Sequence, residues 1–390
     1  MEYQFSERVK SLKPSAIREI LKNSSDPSVI PLSAGNPAPD AFPYEAVRKI
    51  SQELLQNTPI DALQYGVTEG YTPLRQHLMG YMAQKHHVGT QDDDILITSG
   101  AQQVMDLLTK TLLNEGDTVL CEAPSFIGSL NTFRSYRAKL VGIPMEEDGI
   151  DTQKLEEALN TEKNVKYLYT IPNFQNPTGL TYTKERREAV CALFDKYDTV
   201  LVEDDPYGEL RFKGEKLPYI GAGKLAHSVL LGTFSKTVTP GMRLGFVITQ
   251  DRELMHHLVT AKQSSDLHTN IFSQYMIADY LAHNEYQQHV DKITALYRTQ
   301  AEAMLSAMRE YFPAHVKYTE PEGGMFIWVT LPEGQSALDL FRKAMEKKVA
   351  FVPGDPFYAG KTNVNTFRLN YTNSTPEIIR EGIRRLAEVL

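Results

Sequence analysis

A lysine that directly follows an apolar run is the side chain in this sequence best suited to covalent chemistry. Lys236 ends the segment TFSK (residues 233–236), which comes after the apolar run 228–232 and before PGMRLG (residues 240–245). A lysine at the end of a buried strand is partly desolvated, which lowers its pKa and leaves a neutral amine that can attack a carbonyl group. Taken alone, the segment is equally compatible with a solvated lysine in a surface turn.

An acidic segment, VEDDPY (residues 202–207), follows a second apolar run. Ligands of open parallel sheets bind beyond the carboxyl ends of the strands, where the side chains of this segment would point. A carboxylate such as Asp204 could keep a pyridine nitrogen protonated, which makes the ring an electron sink, and Tyr207 could reach an oxygen on the same ring. An acid that only caps the next turn is the alternative.

Two turns carry polar groups that suit other parts of such a ligand. In NFQNPTG (residues 173–179) the Asn176 amide could donate to a ring oxygen, while TSGAQ (residues 98–102) is typical of a strand-to-helix turn. Helix N-terminal amides and the Ser99 hydroxyl would suit a phosphate. Each turn by itself is also ordinary turn or helix-start chemistry. Together, the four segments supply a nucleophilic lysine, an acid for a ring nitrogen, donors to a ring oxygen and a phosphate cradle.

The elements that would position these groups alternate between short apolar strands and helical patterns. Strands separated by helices indicate a largely parallel sheet covered on both faces, and therefore an α/β fold. The predicted strands are 95–98, 118–121, 165–171, 199–202, 228–232 and 244–249, and the predicted helices are 99–113, 125–136 and 184–196.

The pattern changes after about residue 285, where a smaller α+β domain is expected. We predict three parts: an N-terminal arm over residues 1–44 that joins the small domain, a large domain over 45–285 and a small domain over 286–390. The arm holds six prolines, too many for a regular layer. The small domain is predicted to contain an amphipathic helix at 285–311, strands at 324–331 and 365–372, a helix near 336–348 and a closing helix from Thr375.

Composition and charge argue against several other classes of protein. The 390 residues are 42% hydrophobic and carry a formal net charge of −8, without a basic run that would indicate a nucleic-acid partner. The two cysteines form neither a disulfide framework nor a zinc spacing, so no metal is expected. The sequence also lacks a signal-peptide core and an apolar run of membrane length. We therefore expect a cytoplasmic protein without a membrane partner.

From about Leu32 to the carboxyl terminus, the chain resembles the fold type I enzymes that use pyridoxal 5′-phosphate (PLP), specifically the class I and II aminotransferases. FSKTVTPGMRLG (residues 234–245) carries the most specific part of this resemblance. It implies that Lys236 holds PLP as a Schiff base and serves as the general base at the substrate Cα. The other implied cofactor contacts are Ser99, Gly100, Ala101, Thr233, Ser235 and Arg243 at the phosphate, Asp204 at the ring nitrogen, Tyr207 and Asn176 at the phenolic oxygen, and Phe126 stacked on the ring.

The resemblance also extends to the substrate and to a partner subunit. Arg368, in TFRLNY, matches the arginine that binds the substrate α-carboxylate, a task for which a planar guanidinium is suited, and Asn176 lies in the same implied subsite. Tyr65, in LQYGVTEGYTPLR, matches a tyrosine that reaches the phosphate in the neighbouring subunit. The resemblance therefore implies a homodimer.

The amino-terminal half is most similar to the subgroup of 2-aminoadipate, kynurenine and broad-specificity aromatic aminotransferases. The matching segments are AIREI (residues 16–20) and LSAGNPAPDAFP (residues 32–43). In that subgroup, an arginine at the Arg18 position lies on a mobile element over the substrate side chain, and Gly35 matches a backbone position near the substrate. A solvated helix charge is the alternative for Arg18.

The activity implied by the resemblance is transfer of an amino group from an L-amino acid to a 2-oxo acid, with 2-oxoglutarate as the expected acceptor. Fold and cofactor motifs do not determine which bond is broken, so a PLP-dependent lyase, racemase or decarboxylase is the nearest alternative. A PLP-sensing regulatory module and a non-catalytic binding protein are more distant alternatives.

Overall fold

A computed structural model describes residues 3–10, 26–89, 93–283 and 285–390 of the chain. Its strands, in chain order, are β1 (Ile30–Pro31), β2 (Asp94–Thr98), β3 (Thr118–Ala123), β4 (Lys139–Glu146), β5 (Gly149–Ile150), β6 (Val165–Thr170), β7 (Val200–Asp205), β8 (Ser228–Thr233), β9 (Gly245–Thr249), β10 (Lys317–Tyr318), β11 (Phe326–Thr330), β12 (Val349–Ala350), β13 (Val352–Pro353) and β14 (Thr366–Asn370). Its α-helices are Glu7–Lys10, Tyr44–Asn57, Pro59–Leu63, Thr72–His86, Ala101–Leu112, Ile127–Ser135, Thr152–Thr161, Lys184–Lys196, Arg252–Gln263, Ile271–Ala282, Glu285–Tyr311, Ala337–Glu346 and Pro376–Ala387.

The larger sheet has the strand order β2-β9-β8-β7-β6-β3-β4-β5. Its centre is parallel, since β7 pairs with β6 and β8, and β3 pairs with β6 and β4, all in the same direction. β9 runs antiparallel to β8 because the loop 234–244 between them is too short to hold a crossover helix. The predicted α/β fold with a mainly parallel sheet is confirmed.

Both faces of this sheet are buried, as the alternation of side chains along β2 shows. Ile95 and Ile97 point to one face, where they share a core cluster with Leu74 of the helix Thr72–His86. Leu96, between them, lies in a second cluster with Val104 of the helix Ala101–Leu112. Successive side chains of a strand point to opposite faces, so a strand that is apolar at consecutive positions needs a layer of helices on each side.

Because the four central strands are parallel, their carboxyl ends meet at one edge of the sheet. The loops that follow β3, β6 and β8, together with the last residues of β7, therefore lie side by side. The segments that the sequence analysis singled out around Phe126, Asn176, Asp204 and Lys236 belong to these loops and strand ends. The sheet topology thus brings together candidate site residues that are spread over more than a hundred residues of sequence.

A smaller antiparallel sheet has the order β10-β11-β14-β13. It packs with the long helix Glu285–Tyr311 and the final helix Pro376–Ala387 in the main apolar core. The final helix begins with a side-chain cap, because the Thr375 hydroxyl accepts from the backbone N–H of Ile378, and Pro376 occupies the first turn. The predicted small α+β unit is confirmed.

The start of the chain is tied to this small unit. β1 pairs in parallel with β12, so that Ile30 lies opposite Val349. The backbone N–H of Asn370 donates to the carbonyl of Leu32 at 2.8 Å. These bonds hold residues 33–36 near the carboxyl-terminal edge of the large sheet, where the Gly35 carbonyl accepts a hydrogen bond from Lys236.

Among the described ranges, we find no helix that is both long and apolar enough to cross a membrane. The same part of the chain contains no group of three or more His, Cys, Asp or Glu side chains placed to hold a metal ion.

Candidate active site

Lys236 lies in the loop after β8, with its side chain in the cleft between the two sheets. Its ammonium donates to the carbonyl of Gly35 at 2.8 Å. Burial lowers the pKa of this lysine to about 8, and the positive charges of Arg368 and Arg243 act in the same direction. A substantial fraction of the amine is therefore neutral, and nucleophilic, near neutral pH.

Asp204, on β7, is the buried acid of the site. Its Oδ2 accepts a hydrogen bond from the Tyr169 hydroxyl at 2.7 Å. Its Oδ1 is buried without a hydrogen-bond partner in the described residues. Burial raises the pKa of Asp204 to about 7, although the Tyr169 bond acts against the increase and Asp205 adds to it. A buried carboxylate oxygen without a donor is costly in free energy, so this atom is suited to a donor supplied by a ligand.

Tyr169 is a site residue that the sequence analysis missed. It lies on β6, within a run that looks simply apolar, and the β6–β7 register places it opposite Val202. Asp204 is two residues beyond Val202 and therefore on the same face of the sheet. A tyrosine on a buried strand needs a partner for its hydroxyl, which is the only signal that the sequence offered.

Asn176 connects Tyr207, the other residue predicted to contact the phenolic oxygen, to Arg368, the residue predicted to bind the substrate carboxylate. Its amide Nδ2 donates to the Tyr207 hydroxyl at 3.1 Å, and its Oδ1 accepts from Arg368 Nη1 at 2.9 Å. Burial raises the pKa of Tyr207, which keeps its phenol neutral. The sequence prediction that these three residues lie in one site agrees with their positions, although Asn176 and Arg368 are far apart along the chain.

Arg368 is a buried cation that lacks a carboxylate partner in the described part of the chain. It is 3% exposed, its Nε has no hydrogen-bond partner there, and its guanidinium lies 4.2 Å from the ring centroid of Phe326. Burial lowers the pKa of Arg368 to about 10. A buried guanidinium held by two aromatic rings, the Ser33 carbonyl and the Asn176 amide oxygen, without an acidic partner in the described residues, is suited to bind an incoming carboxylate.

The predicted phosphate residues form one cluster around Arg243. The guanidinium donates to the Ser235 hydroxyl and to the Ser99 carbonyl, both at 3.3 Å, and the Thr233 hydroxyl donates to Ser235 at 3.0 Å. Gly100 adopts φ +80°, and a Cβ at this position would clash with the Arg243 guanidinium. Ala101 begins the helix Ala101–Leu112, so the N-terminus of this helix, where anions are favoured, directly follows Gly100 of the same cluster.

A second charged layer supports this cluster and was not predicted. The Ser99 hydroxyl donates to Asp266 at 3.0 Å. The ammonium of Lys262, which is fully buried, donates to Asp266 and to the side-chain oxygen of Gln103, each at 2.8 Å. The cation of Lys262 therefore offsets the negative charge of Asp266 next to the anion cradle.

The other predicted site residues have different outcomes. Phe126 directly precedes the helix Ile127–Ser135 and is half-buried at the edge of the main core. A Cβ at Gly35 would lie 3.8 Å from Arg368 Nη2, which places this backbone position beside the carboxylate site. Tyr65 is 78% exposed with its ring against His268, so its reach into a partner subunit stays a prediction. Arg18 lies outside the described residues.

The α/β fold and the buried lysine, acid and arginine at one sheet edge define a class of enzyme that handles amino groups through a carbonyl cofactor. The family model for class I and II aminotransferases matches residues 27–386, so the chain belongs to this family.

Individual relatives cover almost the whole chain. An aromatic-amino-acid aminotransferase of Thermococcus litoralis is 43% identical over 100% of this chain and 94% of its own length. A kynurenine aminotransferase of Pyrococcus horikoshii, solved with PMP and kynurenine, is 41% identical, covers 99% of this chain and 96% of its own, and superposes with a TM-score of 0.95. An α-aminoadipate aminotransferase of Thermus thermophilus, solved with N-(5′-phosphopyridoxyl)-L-leucine, is 38% identical, covers 99% and 97%, and has a TM-score of 0.91.

PLP, the cofactor of this family, fits the side chains that the structure brings together. Asp204 Oδ1 lacks a donor in the described residues, and a protonated pyridine nitrogen is such a donor. The glycine at position 100, where a Cβ would clash with the Arg243 guanidinium, leaves room for this cation, which is suited to bind a phosphate. Lys236 offers a buried amine of lowered pKa. The chain is therefore a PLP-dependent aminotransferase, as predicted.

Proposed function

We propose that this enzyme transfers amino groups from several L-amino acids, acidic as well as aromatic or long apolar ones, to 2-oxo acids, with 2-oxoglutarate as an acceptor. The single observation that carries the proposal is the buried Arg368, which would bind the α-carboxylate of every substrate and leave the choice of side chain to other residues. The names of the three relatives, which span aromatic, kynurenine and aminoadipate substrates, support the same breadth.

We further propose how the residues divide the work. Lys236 holds the cofactor and, once released by substrate, moves the proton at the substrate Cα; its lowered pKa supports this role. Asp204 holds the ring nitrogen, and Asn176 and Tyr207 hold the phenolic oxygen. Bound PLP supplies an electron sink for the charge that develops at Cα. The phosphate contacts are proposed to be Ser99, Gly100, Ala101, Thr233, Ser235 and Arg243, with Phe126 stacked on the ring and Gly35 next to the substrate.

Arg18 is proposed to select acidic substrates by pairing with their distal carboxylate. An unpaired buried charge is costly, so the arginine has to leave the site when the substrate side chain is apolar. In Arg18→Ala, we expect kcat/KM for glutamate and 2-aminoadipate to decrease. The loss of transition-state stabilisation should be roughly 1.5–3 kcal/mol, the value of a charged hydrogen bond. We expect little change for phenylalanine and leucine. The measurement is a half-reaction assay that follows conversion of PLP to pyridoxamine phosphate.

Arg48→Ala is a matched control, because Arg48 is an exposed arginine whose side-chain partners within the described residues, Glu45 and Gln52, lie on its own helix. An equal loss for all four substrates, or no loss, would assign Arg18 a structural role. Absence of amino transfer from every one of the four donors in the wild type would refute the proposed substrate range itself.

A homodimer is also proposed, because a strongly exposed apolar patch lies next to Tyr65. The exposed fractions are 76% for Ile60, 68% for Leu63, 78% for Tyr65 and 58% for Val67. Exposed apolar patches of this kind mark interfaces. We expect light scattering at assay concentration to give the mass of a dimer, and Ile60→Asp/Leu63→Asp to give an inactive monomer. Leu338→Asp, at another exposed leucine, should change neither property. Full activity in a wild-type monomer would contradict the proposal.

The organisation of the chain is proposed to follow the predicted boundaries, with an arm over residues 1–44, a large domain over 45–285 and a small domain over 286–390. The pairing of β1 with β12 supports an arm that joins the small domain. A cytoplasmic location is proposed as well, and it is supported by Cys121 and Cys191, which are both free thiols.

A further inference from the structure

Glu122 is a fully buried carboxylate that the roles proposed above do not use. It lies near the carboxyl end of β3 and is 1% exposed. Its Oε1 accepts from the Thr170 hydroxyl at 2.6 Å, the Tyr182 hydroxyl at 2.8 Å and the Ile171 N–H at 3.1 Å. Its Oε2 accepts from Gln175 Nε2 at 2.8 Å. Four donors from residues 170–182, which include the end of β6 and the loop after it, therefore converge on one side chain of β3.

Gln175 connects this carboxylate to two loops of the active site. Its Nε2 also donates to the carbonyl of Pro124 at 2.8 Å. Its Oε1 accepts from the backbone N–H and the hydroxyl of Thr178, at 2.9 and 2.7 Å. Every polar group of the amide has a partner, which fixes the orientation of the side chain. Gln175 directly precedes Asn176, and Pro124 is two residues before Phe126.

A carboxylate is a costly choice at this position if it only fills space. Burial raises the pKa of Glu122 to about 7, and the hydrogen bonds from Thr170, Gln175, Tyr182 and Ile171 act against that increase. None of the ion pairs in the described ranges involves Glu122, so hydrogen bonds alone stabilise the charge. Apolar side chains of similar volume are often at least as stable as buried charges. What a carboxylate adds is the ability to hold several donors in a fixed relative position.

We infer that Glu122 and Gln175 form a positioning pair that holds the loop of Asn176 and the loop of Phe126 in a fixed relation to each other. The inference rests on the proposed contacts of Asn176 and Phe126 with the cofactor. Through the pair, Glu122 positions both the Asn176 amide and the Phe126 ring. The amide is proposed to contact the phenolic oxygen at the edge of the PLP ring, and Phe126 is proposed to stack on the face of that ring. Glu122 is accordingly a positioning residue, not a catalytic one.

The complementary pair of donor and acceptor allows a swap experiment. Glu122→Gln turns an amide N–H₂ toward the N–H₂ of Gln175, and Gln175→Glu turns a carboxylate toward that of Glu122. Either single change replaces an attraction by a repulsion. The double variant Glu122→Gln/Gln175→Glu restores one donor facing one acceptor between the two side chains, keeps one negative charge, and still lets an oxygen at position 175 accept from Thr178. It does not restore the bond to Pro124, because a carboxylate oxygen then faces that carbonyl.

The readouts are the dissociation constant of PLP from the apoenzyme, the absorbance of bound PLP across pH and the thermal unfolding temperature. We expect each single variant to weaken PLP binding roughly tenfold to a hundredfold, as for loss of a charged hydrogen bond, and to shift the absorbance titration. The double variant should bind PLP more tightly than Gln175→Glu and shift its titration back toward that of the wild type, because the repulsion between two carboxylates is removed. Full recovery is not expected, because the bond to Pro124 stays lost. Such a rescue is not expected if the two side chains merely fill the core.

Glu203→Gln is the matched control. Glu203 is equally buried and accepts from three backbone N–H groups, those of Ile220, Gly221 and Ala222. It precedes Asp204 on β7, so its side chain points to the opposite face of the sheet. This variant should lower the unfolding temperature without altering PLP absorbance.

Wild-type absorbance and PLP affinity in Glu122→Gln would overturn the inference, and so would a double variant as impaired as Gln175→Glu. Failure of the proposed function gives a different result, because it would appear as a wild-type enzyme that binds PLP yet transfers no amino group from any of the four donors.

Discussion

Replacement of Lys236 by alanine is expected to abolish amino transfer, with kcat lowered by at least about 10⁴-fold, because the variant lacks both the nucleophile and the group that moves the proton at Cα. Lys236→Arg should be equally inactive, since a guanidinium keeps the charge but supplies neither a nucleophilic amine nor a base at neutral pH. Single-turnover conversion of bound PLP by glutamate is the measurement, with circular dichroism to establish that both variants are folded.

The same prediction has a chemical test that does not depend on activity. Borohydride reduction of the holoenzyme, followed by peptide mass spectrometry, should give a pyridoxyl group on Lys236. Lys262 is an internal comparison, because it is fully buried and its ammonium is engaged by Asp266 and Gln103. A label on Lys262, or on any lysine other than Lys236, would show that the assignment is wrong.

The lowered pKa of Lys236 also sets the direction of a pH effect. The neutral amine is the reactive form, so the rate at which the apoenzyme captures added PLP should increase with pH and level off above the pKa of about 8. A solvated lysine would continue to gain reactivity toward its ordinary value of 10.5. Stopped-flow absorbance between pH 6 and 10 distinguishes the two profiles, provided that pH-dependent changes in PLP itself are subtracted with a free-amine reference.

Asp204→Asn is expected to lower the rate of the half-reaction by roughly 10²–10³-fold, the effect of removing a major electrostatic stabiliser from a buried site. The carboxylate holds a proton on the ring nitrogen by its charge, and a neutral amide does not. Asp204 Oδ1 is buried and has no partner within the described ranges, so it is suited to accept from the ring nitrogen. Single-turnover rates with glutamate, together with the dissociation constant of PLP, measure the effect.

Asp205→Asn is the control for this prediction. The Asp205 carboxylate is already engaged by the N–H of Gly208 at 2.8 Å and the hydroxyl of Tyr219 at 2.9 Å. We therefore expect Asp205→Asn to change stability more than the rate of the half-reaction. Near-normal rates in Asp204→Asn combined with inactivity in Asp205→Asn would mean that the neighbouring acid holds the cofactor.

Local patterns in the sequence determined the type and order of most elements that carry the site. The helix at 285–311 was predicted with the bounds that the structure shows, because a long amphipathic repeat has few alternative interpretations. Lys236, Asp204 and Asn176 could be selected because each follows an apolar strand, and parallel strands bring their carboxyl ends to one edge. The resemblance to a known family then assigned them to parts of one cofactor.

Tertiary structure alone decided which side chains meet. β4 (Lys139–Glu146) escaped prediction although residues 140–145 are apolar, because the glycine and the proline within the segment argue against a strand. The bond between Tyr169 and Asp204 depends on the register of β6 against β7, which a single sequence does not encode in a readable form. The convergence of Arg368 on Asn176, and of four donors on Glu122, joins residues that are distant along the chain. Such contacts follow from packing two sheets and their loops into one volume, and no local pattern of residue types carries that information.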